Sequence, residues 1–164
     1  MKNNLINISI IILAGVLIGT MAFSANEDGV TATVTAREIS LTVEDGSISY
    51  GSLDLSTATS TLAAGIDDMQ TVTNTGSVAE DFNIKGTDST DWTLAGSIGS
   101  EEYKHEFSTS TGSSWDALTL DYQALDTDVA SAATTSLDLQ ITVPSATTHF
   151  TVQSLDVTVQ ATLH

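Results

Sequence analysis

After residue 29 the chain alternates. Val30, Ala32, Val34 and Ala36 share one parity, with Thr31, Thr33 and Thr35 between them. Ile39, Leu41 and Val43 follow in the opposite phase, so the pattern slips at Arg37-Glu38. Period two puts successive side chains on opposite faces of a sheet, and a slip of one residue needs a bulge or a break. Similar alternation recurs at Val78/Phe82/Ile84, Tyr103/His105/Phe107, Leu118/Leu120/Tyr122 and Leu137/Leu139/Ile141/Val143. A last strand is predicted from Leu155 through Val157, Val159 and Ala161 to Leu163. Phe150 and Val152 lie out of phase with it, which predicts a bulge at Gln153-Ser154. Turn signals fall between these runs, at Asp45-Gly46 and Asn74-Thr75-Gly76-Ser77, and Pro144 stops the run before it. Residues 56–65 read as a loop, and a helical period is confined to one candidate turn at Asp126–Ala133. The pattern predicts an all-β, antiparallel β-sandwich, jelly-roll-like or immunoglobulin-like, of about eight or nine strands.

The first 24 residues stand apart. Lys2 opens them, a mostly apolar run spans Leu5 to Phe23, and Ala22-x-Ser24 offers small residues for cleavage. That order predicts a secretory signal helix, with an uncleaved membrane anchor as the alternative. The domain reading is therefore 1–24 as signal, 25–37 as an extension or first strand, and 38–164 as the sandwich. The membrane is a partner only through the signal segment, should that stay attached.

Charge limits the partners. The 164 residues carry 21 Asp and Glu against 4 Lys and Arg, a net charge of −17. Cleavage after Ser24 would remove Lys2 and leave Arg37, Lys85 and Lys104 as the fixed positive charges, for a net −18. Such a surface has no counterions to exchange with phosphates, so nucleic acid is excluded as a partner. The chain has no Cys, which removes disulfide scaffolds and thiolate metal sites. Ser and Thr number 20 and 26, and they mostly occupy the polar face of strands, where Thr packs well.

Catalytic chemistry is thin. His105-Glu106 begins an H-E-x-x-H pattern, but residue 109 is Thr109, so that zinc motif is absent. His105 lies between Tyr103 and Phe107 and reads as a half-buried structural residue, with Lys104 and Glu106 facing away. The chain also lacks G-x-S-x-G. The expectation is a non-enzymatic protein that requires no cofactor. Calcium is the one candidate ion, since it takes carboxylate and carbonyl oxygens and is abundant outside cells. Asp126 with Asp128 is the preferred pair, and Asp88 with Asp91 the next. Both pairs read equally as solvated acidic surface. Trp92 reads as core, and Trp115 as a lid over the core or a sugar-stacking platform.

Tyr50-Gly51-Ser52-Leu53-Asp54-Leu55-Ser56, followed by Thr73-Asn74-Thr75-Gly76-Ser77-Val78, resembles the TasA/camelysin family of secreted biofilm-matrix fibre proteins. The resemblance covers residues 30–85. The stretch Asn74–Gly86, with Trp92-Thr93-Leu94 and the tail from Leu137, is similar to uncharacterised secreted bacterial β-sandwich proteins. Trp92-Thr93-Leu94 also resembles one copy of the WxL wall-binding signature, a family that typically carries two. The fibre resemblance implies a secreted, cell-surface homopolymer built by donor-strand complementation. Val30, Ala32, Val34 and Ala36 would be the face of the donor strand. The alternatives are that the same segment is the first strand of a self-contained sandwich, or that the protein is a monomeric surface module for glycan or calcium.

Overall fold

The structure, a computed structural model, describes residues 27–164. The expected signal segment within 1–24 lies outside the described residues. The described chain is all-β, with ten strands in two sheets and, among the described residues, no helix. In chain order the strands are β1 (Leu41–Val43), β2 (Ala58–Ser60), β3 (Gln70–Asn74), β4 (Glu80–Gly86) and β5 (Thr93–Leu94). They continue as β6 (Glu102–Ser108), β7 (Asp116–Ala117), β8 (Gln123–Val129), β9 (Thr134–Thr142) and β10 (Val157–Leu163).

The larger sheet runs β1-β3-β9-β6-β5, with β2 continuing the β3 edge of β9 and β7 added to β6. The smaller sheet runs β10-β4-β8. Pairing is antiparallel except between β5 and β6. Register follows the predicted parity. His105 lies opposite Ile141 and Phe107 opposite Leu139, so the apolar residues of β6 and β9 share one face. On the smaller sheet Phe82 and Ile84 from β4 join Leu125 and Val129 from β8. All of these meet in one core cluster with Val72 and Tyr103. Full burial of a side chain such as Phe82 stabilises by about 1.5–3 kcal/mol. Pro144 lies two residues past the end of β9, just after Val143 N–H makes a last bond to the Thr57 carbonyl, and its missing N–H stops the ladder there.

Several expectations need correction. Residues 27–40 form no strand, so Val30–Ala36 is not a first strand of this fold. A strand exists only against a partner, and alternation alone does not supply one. The stretch Asp126–Ala133 is the end of β8 and a turn into β9, not a turn of helix. The loop over 56–65 contains the short strand β2. Leu118–Tyr122 is not a strand: Leu118 enters the core, while Leu120 and Tyr122 face solvent. The ring of Tyr122 instead receives the Lys85 ammonium 4.7 Å from its centroid. No bulge forms at Gln153-Ser154, because Thr147–Asp156 lies outside any strand.

The chain divides into two compact units, up to Thr35 and from Ala36 to His164. The described part of the first, residues 27–35, has no regular secondary structure and is exposed throughout. The second contains both sheets.

Candidate functional site

The segment read as a donor strand is exposed along its whole length. Val30 is 99% and Val34 96% exposed, and Ala32 and Ala36 are exposed as well. Two β-branched apolar side chains are thus left without apolar cover.

Just beyond it the chain is gripped. Ser77 N–H donates to the Glu38 carbonyl at 3.0 Å, and Glu38 N–H donates to Ser77 Oγ at 2.9 Å. The Ser40 carbonyl accepts from the N–H groups of Thr75 and Gly76, at 2.9 and 3.1 Å. Ser40 N–H donates to Glu80 Oε1 at 2.9 Å. The predicted Asn74–Ser77 turn is therefore the jaw of a clamp on Glu38–Ser40. Asn74 is fully buried and braces the jaw from behind. Its Nδ2 donates to the carbonyls of Val78 and Val129, both at 2.8 Å, and its Oδ1 accepts from Gly76 N–H at 2.8 Å. Gly76 is required by close approach, since a Cβ there would stand 2.5 Å from the Glu38 carbonyl oxygen.

On the smaller sheet, among the described residues, the outer edge of β10 pairs with no strand. Next to it lies a cleft of about 1090 Å³, polar and apolar in nearly equal measure, with an apolar floor. Leu137, Leu139 and Ile141 of β9 and Val143 just past its end line it, and Val157 and Val159 of β10 form part of its wall. Gly46–Leu55 and Thr147–Leu155 complete it. Among the described residues, Ser47–Leu53 and Thr147–Asp156 make no backbone–backbone hydrogen bond. Unpaired backbone beside a free edge is what an added strand needs.

His105 is one of the lining residues and is fully buried, not half-buried as expected. Tyr50 covers it, with the phenol oxygen 3.1 Å from His105 Nε2. His105 Nδ1 has no partner among the described residues, and neither tautomer supplies one. Burial holds the imidazole neutral, with a pKa down at about 4. It also raises the Tyr50 and Tyr103 phenols well above their ordinary range. Lys104 and Glu106 do lie on the opposite face, paired at 2.9 Å.

The carboxylates are engaged separately. Asp126 accepts from Thr135 Oγ1 at 2.6 Å and from Thr127 N–H at 2.8 Å. Asp128 is an exposed neighbour of His164, at 3.8 Å, and its N–H donates to Asp81. That N–H, with His164 Nδ1 at 2.7 Å, lowers the Asp81 pKa, and the Asp81 hydrogen bond raises that of His164. Asp88 accepts from Leu94 N–H at 2.8 Å, and Asp91 accepts from Gln153 Nε2 at 2.9 Å. Among the described residues no three His, Cys, Asp or Glu side chains gather into a metal-ligating group. Trp92 packs against the core as expected, donating its indole N–H to Thr147 Oγ1 at 3.0 Å. Trp115 is half-exposed and lies beside Gly112, in contact range of the space that Leu62 also borders.

No family model, curated protein or solved structure matches this chain. Its site is therefore read from its own geometry. Sequence reasoning missed three features of that geometry. Glu80 is fully buried, and its shared parity with Phe82 and Ile84 was the available signal. Asp138 is buried on the outer face of β9 beneath Thr61, whose hydroxyl donates to it at 3.0 Å. The Tyr50–His105 bond joins residues 55 apart in sequence, and no local pattern announces it.

Proposed function

We propose that this protein is a secreted, non-enzymatic structural protein whose subunits join by strand exchange into extracellular fibres or matrix at the cell surface. The two sheets would form a jelly-roll-like sandwich, and residues 30–36 of one copy would complete a sheet of the next. Val30, Ala32, Val34 and Ala36 would face inward and Thr31, Thr33 and Thr35 outward. The observation that carries the reading is a seven-residue alternating arm, wholly exposed, that runs directly into a hydrogen-bonded clamp at Glu38–Ser40. A clamp at that point fixes where the arm leaves its own subunit, so successive subunits share one geometry. A heterologous contact of this kind repeats without closing, which gives a filament. The arm from Gly29 to Ala36 is also uncharged in a chain of net charge −17, so it approaches another acidic subunit without local repulsion.

Electron microscopy of the mature protein, with and without residues 26–36, tests the reading. Fibres from the first and monomers from the second are expected. Identical behaviour of the two forms at high concentration, with calcium present, overturns it.

A further inference from the structure

We propose that Gly46–Leu55 is a strap that closes the cleft beside β10, held by the Tyr50–His105 hydrogen bond as its catch, and that it swings out to admit residues 30–36 of a second copy. This inference rests on the strand-exchange reading and adds where the arm goes and what must move. Three observations carry it. The strap lies against the core through Ile48, Tyr50 and Leu53, yet among the described residues Ser47–Leu53 has no backbone–backbone hydrogen bond. A segment held by side chains alone detaches without breaking a ladder. Gly46 and Gly51 sit at φ +69° and +71°, the left-handed region where glycine turns without penalty, at the start and middle of the strap. The catch is one bond between Tyr50 Oη and His105 Nε2, on the cleft floor.

The occupant is chosen by length and chemistry. β10 offers seven residues of free edge, and Val30–Ala36 is seven residues long. The cleft floor of Leu137, Leu139, Ile141 and Val143 is apolar, as are the alternate side chains of the arm. The arm contributes the backbone donors and acceptors that the β10 edge leaves open.

Chymotrypsin cutting after residue 50 reads the strap directly, because Tyr and Phe are both cleaved. In 0.01 M salt, where charge repulsion keeps subunits apart, the unaltered mature chain and its Tyr50→Phe variant are digested alone and with a synthetic peptide of residues 28–37, which contains no aromatic residue. Cutting at residue 50 is expected to accelerate about tenfold in Tyr50→Phe, and likewise in the unaltered chain once the peptide is added. Cutting after Phe82 and Tyr103, both fully buried, should stay slow in each case. Unchanged cutting at residue 50 in both experiments refutes the strap. Acceleration matched at Phe82 and Tyr103 refutes it too, since that is global unfolding. A Tyr50→Phe response without a peptide response overturns the occupant. Fibres that still require residues 26–36 while residue 50 is unmoved leave strand exchange standing and the strap refuted. Fibres indifferent to those residues refute strand exchange itself.

Discussion

At the scale of single residues, the buried polar groups carry the sharpest consequences. His105 titrates near 6.5 when unfolded and near 4 when folded, because burial disfavours the imidazolium. A folded pKa below the unfolded one means that the unfolded chain binds more protons between those values. Stability is therefore full above about pH 6.5 and declines as pH falls toward 4, by about 3 kcal/mol across the window. Denaturant titrations at pH 7 and pH 4.5 should show this loss, and His105→Gln should flatten it. Asp81, and Glu101 whose carboxylate accepts from the Thr147 hydroxyl and the Thr148 N–H, have lowered pKa values, so their contributions are lost at the acid end of that range and below. His164 has the opposite sign: its raised pKa gives stability that is lost as pH rises. The His105→Gln comparison separates these. Thr61 is a second sensitive residue. Its hydroxyl donates to Asp138 Oδ1 and accepts from Leu139 N–H at 3.1 Å. Thr61→Val keeps the shape and leaves a buried carboxylate unpaired, since Asp138 Oδ2 already has no partner among the described residues. A loss of about 2–3 kcal/mol in chemical denaturation is expected.

At the scale of elements, the Asn74–Ser77 turn does more than reverse the chain. Asn74→Ala removes three hydrogen bonds from buried groups, and a destabilisation of roughly 3 kcal/mol is expected. Gly76→Ala is subtler. Its Cβ meets the Glu38 carbonyl and the Glu80 carboxylate, so the clamp on Glu38–Ser40 must shift. Thermal melts should show a loss of about 1–3 kcal/mol. Amide exchange should show Ser40 losing protection while β9 keeps it. The turn was legible in the sequence because Asn, Gly and Ser at that spacing have few other uses. The paired strands β6 and β9 were legible because their apolar parity is unbroken over Tyr103–Phe107 and Leu137–Val143. The stretches 30–36 and 118–122 show equal alternation and form no strand. Parity shows which face could be buried, and whether an edge is near enough to bury it is decided by tertiary packing. The strap behaves the same way: Ile48, Tyr50 and Leu53 pack against the core, and what the segment lacks is a neighbour to bond with.

At the scale of the whole molecule, acidity opposes the proposed assembly. A chain cleaved after Ser24 would place 21 carboxylates and three fixed positive charges on a small surface, so approaching subunits would repel. Screening shortens that repulsion from roughly 30 Å at 0.01 M salt to about 8 Å at 0.15 M. Polymerisation should therefore accelerate with sodium chloride, followed by light scattering, and calcium should act at lower concentration through its double charge. The dispersed carboxylates Asp126, Asp128, Asp88 and Asp91 each have local hydrogen-bonding or surface roles, which fits a diffuse ionic effect. The charge was legible in the sequence, whereas the cleft and its free edge arise only when β10 takes its place beside β4 across more than seventy residues of chain. Sedimentation velocity in 0.15 M salt compares the unaltered mature chain with a variant carrying Val30→Asp and Val34→Asp. Strand exchange predicts large species for the first and a single monomer for the second. Large species from both, or monomer from both at every concentration, would contradict it.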